Sequence, residues 1–192
     1  MSITINGNGT VTGISAGGLP AGCITSATLA SGVGGKVLQI QTVTKTNQFN
    51  ETLAAGAISS SDISGLQVTI TPSSSSNKII LTCTLTMSSY DNSFLFYKNG
   101  SVISGATGDA DGTKKRVFGE QYLGSGYTMF GHTFQYVDTA GGTSAITYGI
   151  RVMNTSTSER IHYVNVNHQG RSGVGAYDLV GASTFTAMEV AA

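Results

Sequence analysis

Ile79-Ile80-Leu81-Thr82-Cys83-Thr84-Leu85-Thr86-Met87 decides the fold. Ile79, Leu81, Cys83, Leu85 and Met87 fall on one side of a period of two, and Thr82, Thr84 and Thr86 on the other, the pattern of a strand with one face against a core. Upstream, Leu66, Val68 and Ile70 alternate just before Pro72, and Ser73-Ser74-Ser75-Ser76-Asn77 ends that strand. Downstream, Phe94 to Lys98, Asn99-Gly100 and Ser101 to Ser104 read as a hairpin, because Asn-Gly supplies the two positive φ angles of a type I′ turn.

The second half repeats the period with more aromatic weight. Phe130, His132, Phe134 and Tyr136 share one face, and Ile146, Tyr148, Ile150 and Val152 share one face of the next strand, with Thr139-Ala140-Gly141-Gly142 as the turn between them. Further strands are predicted over Ile161 to Asn167 and Thr184 to Val190. Nowhere do apolar residues recur at three-and-four spacing over a capped helix length. Eight to ten short antiparallel strands with glycine-rich turns predict an all-β fold, an antiparallel jelly-roll β-sandwich.

The first thirty-five residues have a different character. They contain no Lys, Arg, Asp or Glu and little apolar bulk, so they cannot build a core of their own. Such a segment is either a flexible linker or is held against copies of itself or another protein. The spaced aliphatics Ile3, Ile5, Val11, Ile14, Leu19, Ile24, Leu29 and Val33 favour the second reading, a thin three-chain shaft. The chain therefore divides into an extended attachment or shaft segment, residues 1–35, and a head, residues 36–192.

Charged residues make up 10% of the chain and cancel to zero, against about 25% in ordinary soluble domains. That argues against capture of nucleic acid or an anionic membrane, and it removes the repulsion that keeps copies apart. There is no basic-then-apolar leader and no window of membrane-span length, so the expectation is assembly in a cytosol without membrane insertion. Of the two cysteines, Cys83 sits inside an apolar alternation and is expected as a reduced, buried thiol rather than bridged to Cys23.

Three stretches resemble a known group. Gly35-Lys36-Val37-Leu38-Gln39-Ile40, the run from Ile63 through Pro72 to Leu81, and the closing Gly181-Ala182-Ser183-Thr184-Phe185-Thr186-Ala187-Met188-Glu189-Val190-Ala191 look like the fibre and virion structural proteins of tailed phages, particularly marine ones. The resemblance covers about residues 35 to 192. It implies a trimeric jelly-roll head, similar to the tumour necrosis factor family, at the tip of a fibre attached to the particle by its N-terminal segment. Gly17-Gly18-Leu19-Pro20-Ala21-Gly22 and Ile24-Thr25-Ser26-Ala27-Thr28-Leu29-Ala30 look like short shaft or adaptor sequences. Thirty-five residues make only a stub, which implies a short appendage or the last piece of a composite fibre.

Catalytic constellations are sparse. A depolymerase needs two carboxylates facing each other across a sugar cleft, and Asp109-Ala110-Asp111-Gly112 holds the one close pair among the ten carboxylates. It opens like a calcium loop but lacks the later ligands and the closing glutamate, so a solvated turn is expected. His132 is expected to sit hydrogen-bonded among Phe130, Phe134 and Tyr136; His162 and His168, six strand residues and about 20 Å apart, are too distant to share an ion within one chain, and the alternative is convergence of His132 or His162 from three subunits on a threefold axis. Gly124-Ser125-Gly126 reads as a tight loop, not a nucleophile elbow. No enzyme activity, cofactor or metal is expected.

Recognition fits better. The loops around Tyr90, Asp91 and Asn92, around Tyr122 and Tyr127, and around His168 and Arg171 combine aromatic faces with amides, a carboxylate and a cation, the groups that hold sugars. These seven are the candidate receptor contacts; ordinary turns and inter-subunit packing would use the same residues. The sequence thus predicts a homotrimeric virion protein, assembled in the host cytoplasm. Residues 1–35 meet other virion proteins, and the head contacts a host glycan or protein by non-catalytic, multivalent binding. A capsid decoration protein or head fibre, and a polysaccharide-cleaving appendage, are the alternatives.

Overall fold

The structure, a computed structural model, describes residues 36–55, 59–88, 91–122, 128–167 and 179–192, together with the backbone of 4–5 and 11–12. The chain divides into two compact units, Met1–Lys36 and Val37–Ala192. In the first, β1 (Thr4–Ile5) pairs antiparallel with β2 (Val11–Thr12).

The second unit is all-β, with two antiparallel sheets. Its strands are β3 (Val37–Lys45), β4 (Phe49–Leu53), β5 (Ser59–Ile70), β6 (Lys78–Ser88), β7 (Asp91–Lys98), β8 (Ser101–Val102), β9 (Gly119–Tyr122), β10 (Phe130–Thr139), β11 (Ile146–Asn154), β12 (Arg160–Val164) and β13 (Ser183–Val190). The decisive stretch is β6, at the centre of the first sheet. One edge of β6 pairs with β10 along ten residues; the other is shared by β13, against Lys78–Thr84, and β12, against Met87 and Ser88. β3 lies beyond β13, and β4 beyond β12. In the second sheet β11 lies between β5 and β7, and the far edge of β7 is shared by β8 and β9.

The alternation builds the core as the sequence predicts. Ile79, Leu81, Cys83, Leu85 and Met87 of β6 join Phe185, Ala187 and Val164 from one sheet, and Leu66, Val68, Ile70, Phe94, Phe96, Ile146, Tyr148, Ile150 and Val152 from the other. Each large side chain so buried is worth about 1.5–3 kcal/mol of transfer free energy. Phe94 and Phe134 lie 4.6 Å apart, and Phe96 meets Phe118 edge-on at 4.8 Å. Cys83 is free and buried, and burial pushes its thiol up to about 12.

Turn chemistry follows the residues. Asn99 and Gly100 both have positive φ, 50° and 79°, and bring Lys98 opposite Ser101. β5 departs from simple alternation: Ile63 and Leu66, three apart, are both buried, with Gly65 at φ 79° between them where the pairing with β11 shifts. The strand predicted over Ile161 to Asn167 stops at Val164, because Asn165 turns left-handed at φ 60° and only Val166 makes a further bridge, to Val180. Asn165 is held there by its amide, which donates to the carbonyls of Lys45 and Asn47, while its carbonyl accepts from Ser183.

Candidate functional site

Part of the predicted recognition set comes together at the start of β7. Asp91 pairs across the ladder with Tyr122 of β9, and Asn92 with Gln121. β12, from the facing sheet, brings its own side chains to the same end. The Arg160 guanidinium Nε donates to Asp91 Oδ2 at 2.8 Å, and His162 Nδ1 lies 3.3 Å from Asn92 Oδ1. Glu51 of β4 stands opposite His162 and so shares its face of the sheet.

Electrostatically this end is half closed. Asp91 and Arg160 are mostly shielded but reach the surface, whereas Asn92 and His162 are fully buried. Burial pulls the His162 imidazole down to about 4, with Asp91 opposing and Arg160 adding to the effect. The ring is therefore neutral at pH 7, and its Nε2, like Gln121 Oε1, is buried without a hydrogen-bond partner. Asn154 pins the neighbouring loop by donating to the carbonyls of Leu53, Ala54 and Ser158 at 2.9–3.0 Å. This end of the sandwich therefore carries an ion pair at its rim, with neutral polar groups buried behind it.

Of the seven residues the sequence singles out, the structure places Asp91 in the ion pair, Asn92 behind it and the Tyr122 backbone beside them. Tyr90, Tyr127, His168 and Arg171 lie outside the described residues, as do Cys23 and Gly124-Ser125-Gly126. Arg160 and Glu51 escape the sequence reading, whereas Gln121 opens the recognition loop it predicts. His162 and Arg160 nonetheless carry a signal, standing two and four residues before the core residue Val164. His132 differs from expectation: it stacks between Phe130 and Phe134 at 6.5 and 5.9 Å, yet its buried Nε2 has no hydrogen-bond partner.

Three further carboxylates, Asp138, Asp62 and Asp111, are engaged. Asp138 accepts from Lys98 Nζ at 2.8 Å and from the Tyr148 hydroxyl at 2.7 Å; burial, reinforced by that bond, raises the Tyr148 phenol. Asp62 pairs with Arg151, whose guanidinium lies 5.1 Å over the Tyr97 ring. Asp111 pairs with Lys114 in an exposed turn. No group of three or more His, Cys, Asp or Glu side chains among the described residues could hold a metal.

The outer face of the first sheet is a second candidate surface. Register aligns Thr44, Thr184, Thr84 and Thr133 in one row, Thr42, Thr186, Thr82 and Gln135 in the next, and Ile40, Met188, Ile80 and Val137 in the third. The hydroxyls partly satisfy one another, Thr42 with Thr186 at 2.9 Å and Thr84 with Thr133 at 3.2 Å. The apolar row ends in Ile40 and Val137, 53% and 51% exposed. None of these positions carries a charge.

No protein-family model and no curated protein matches the sequence. Among solved structures, that of infectious bursal disease virus, Gx strain, is similar to this chain, with a TM-score of 0.37 and 14% sequence identity over 80% of this chain and 37% of the other. The chain thus spans little more than a third of that protein. At this level the similarity assigns neither a family nor an activity.

Proposed function

We propose that the protein is a virion structural component: a homotrimer of jelly-roll heads that contacts the host surface without catalysis, as a tail fibre or fibre-like appendage. The observation that carries this reading is the three charge-free rows on the outer face of the first sheet, two mainly of threonine and one apolar, the apolar row running from the exposed Ile40 of β3 to the exposed Val137 of β10, with Lys78 in the row beyond. A monomer gains nothing by exposing such a row; an assembly buries it. The three rows span about 20 Å by 20 Å, roughly half the 800 Å² per partner of a standard interface. In a closed ring of three each chain contributes two surfaces, and the edges of β3 and β10 supply the remainder.

Multivalency completes the reading: three weak sites per head, several heads per particle, and avidity above the affinity of one site. The rim formed by Asp91 and Arg160 is the described part of that site. Light scattering on the full chain and on residues 36–192 tests the assembly. A trimer in both supports the reading, whereas a monomeric full chain sinks it and leaves a lone β-sandwich binding module.

A further inference from the structure

Between β8 and β9 the chain runs through residues 103–118, and its two parts behave differently. The base is built in. Ala106 is buried, Ile103 and Phe118 pack against the core, and their backbone N–H groups donate to the carbonyls of Phe96 and Phe94 at 2.9 and 2.8 Å. The tip is not: residues 108–116 are all exposed, and the turn at their end is closed by Lys114 N–H donating to Asp111 C=O at 3.0 Å, with Gly112 at φ 57°. Lys114, Lys115 and Arg116 follow one another here, three of the ten Lys and Arg residues of the chain.

We propose that the Lys115–Arg116 peptide bond is a processing site for a Lys/Arg-specific, trypsin-class endopeptidase, and that the cut head remains assembled as two pieces. Such an enzyme must draw an extended segment of several residues into its cleft, which in a strand means breaking ladder bonds first. Lys45, Lys78, Lys98, Arg151 and Arg160 all lie in strands, Lys36 abuts β3, whose Val37 is paired with Val190, and Arg171 lies outside the described residues. The tip meets the requirement without that cost. Within the basic run Lys115 is the best specificity residue. Lys114 is paired with Asp111, and Arg116 donates to the carbonyls of Gly108 and Ser104 at 2.6 and 3.4 Å, whereas the exposed Lys115 is not engaged in the loop.

The chemistry needs only water. It adds to the Lys115 carbonyl carbon, the C–N bond breaks, Lys115 ends as a carboxylate and Arg116 begins a new chain as an ammonium. The sheets then hold the pieces together, because each interleaves strands from both sides of the cut. β6 is flanked by β10, β12 and β13, and β11 lies between β5 and β7. The Arg116 guanidinium itself joins the second piece to the first through Gly108 and Ser104. This inference does not rest on the virion reading.

The test is brief digestion of the native full chain with trypsin, followed by intact-mass analysis and native size-exclusion chromatography. The expected result is a first cut after Lys115, giving fragments 1–115 and 116–192 that elute together at the volume of the uncut protein. The variant K114Q/K115Q/R116Q should lose its first cut by about tenfold in rate while melting at the same temperature. A first cut at any other residue, or fragments that separate under native elution, overturns the proposal.

Discussion

The Asn77 side-chain amide donates to Glu189 Oε1 at 2.6 Å, joining the loop before β6 to the last strand across 112 residues of sequence. Glu189 is fully buried, and the Ser73 backbone N–H and hydroxyl and the Gln39 amide also donate to its carboxylate. Burial alone would raise its pKa, but these donors outweigh it and hold the group at about 2. Glu189→Ala leaves those buried donors unmatched, so it should cost about 2–4 kcal/mol of unfolding free energy. Glu189→Gln, which keeps one acceptor, should cost less. Urea midpoints of the two variants check the order.

Acid should unfold the head in two stages. His162 has a folded value of about 4, below the ordinary 6.5, so the unfolded chain binds its proton first and stability falls as pH drops from about 6.5 to 4. Glu189 is likewise depressed, from 4.5 to about 2, and its contribution is lost over that lower window. The His162 stage amounts to about 3 kcal/mol. Chemical denaturation at a series of pH values should therefore show His162→Gln flattening the upper stage and Glu189→Gln the lower.

Gly149 lies under the Tyr97 ring, where an added Cβ would come within 2.6 Å of Cζ. Both residues are buried, so Gly149→Ala should cost about 1–3 kcal/mol through overpacking. Combining it with Tyr97→Ser, which removes the ring, should cost less than the sum of the single changes. A double-mutant cycle read by thermal melting checks the coupling.

The proposed assembly makes Ile40 and Val137 its sensitive positions. Ile40→Glu with Val137→Asp places charges in the apolar row, and the mass by light scattering should fall to a third while the far-ultraviolet circular dichroism stays that of a β protein. A double variant that keeps the trimer mass would move the interface to another surface.

Much of the fold was legible from single strands. The alternation of Ile79 to Met87 marked the central strand, and Asn99-Gly100 marked the hairpin, because period and positive φ are local properties of the residues that carry them. The threonine rows were not legible, since they exist only once register aligns β3, β13, β6 and β10, strands far apart in sequence. Glu189 and His162 lie between these cases. Glu189 follows Phe185 and Ala187 at steps of two, and His162 precedes Val164 by two, so the period alone placed both on the inner face. Polarity argues for the outside, and the partners that decide the matter, Asn77 and Asn92, come from distant parts of the chain. Asn165 stops β12 for a related reason: its left-handed turn is fixed by the carbonyls of Lys45, at the end of β3, and Asn47, just after it.

β3, the first strand of the head, runs antiparallel beside β13, the last, with Val37 opposite Val190. That adjacency gives the head a direction-dependent resistance to force. Tension applied between Val37 and Val190 peels the two strands apart one rung at a time, so only a few hydrogen bonds bear the load at any moment. Tension that enters at Val37 and leaves through the opposite end of the sheet, where the Asp91–Arg160 rim lies, loads the whole β3–β13 ladder in shear. A head pulled between Val37 and that rim is thus strained along its strong axis.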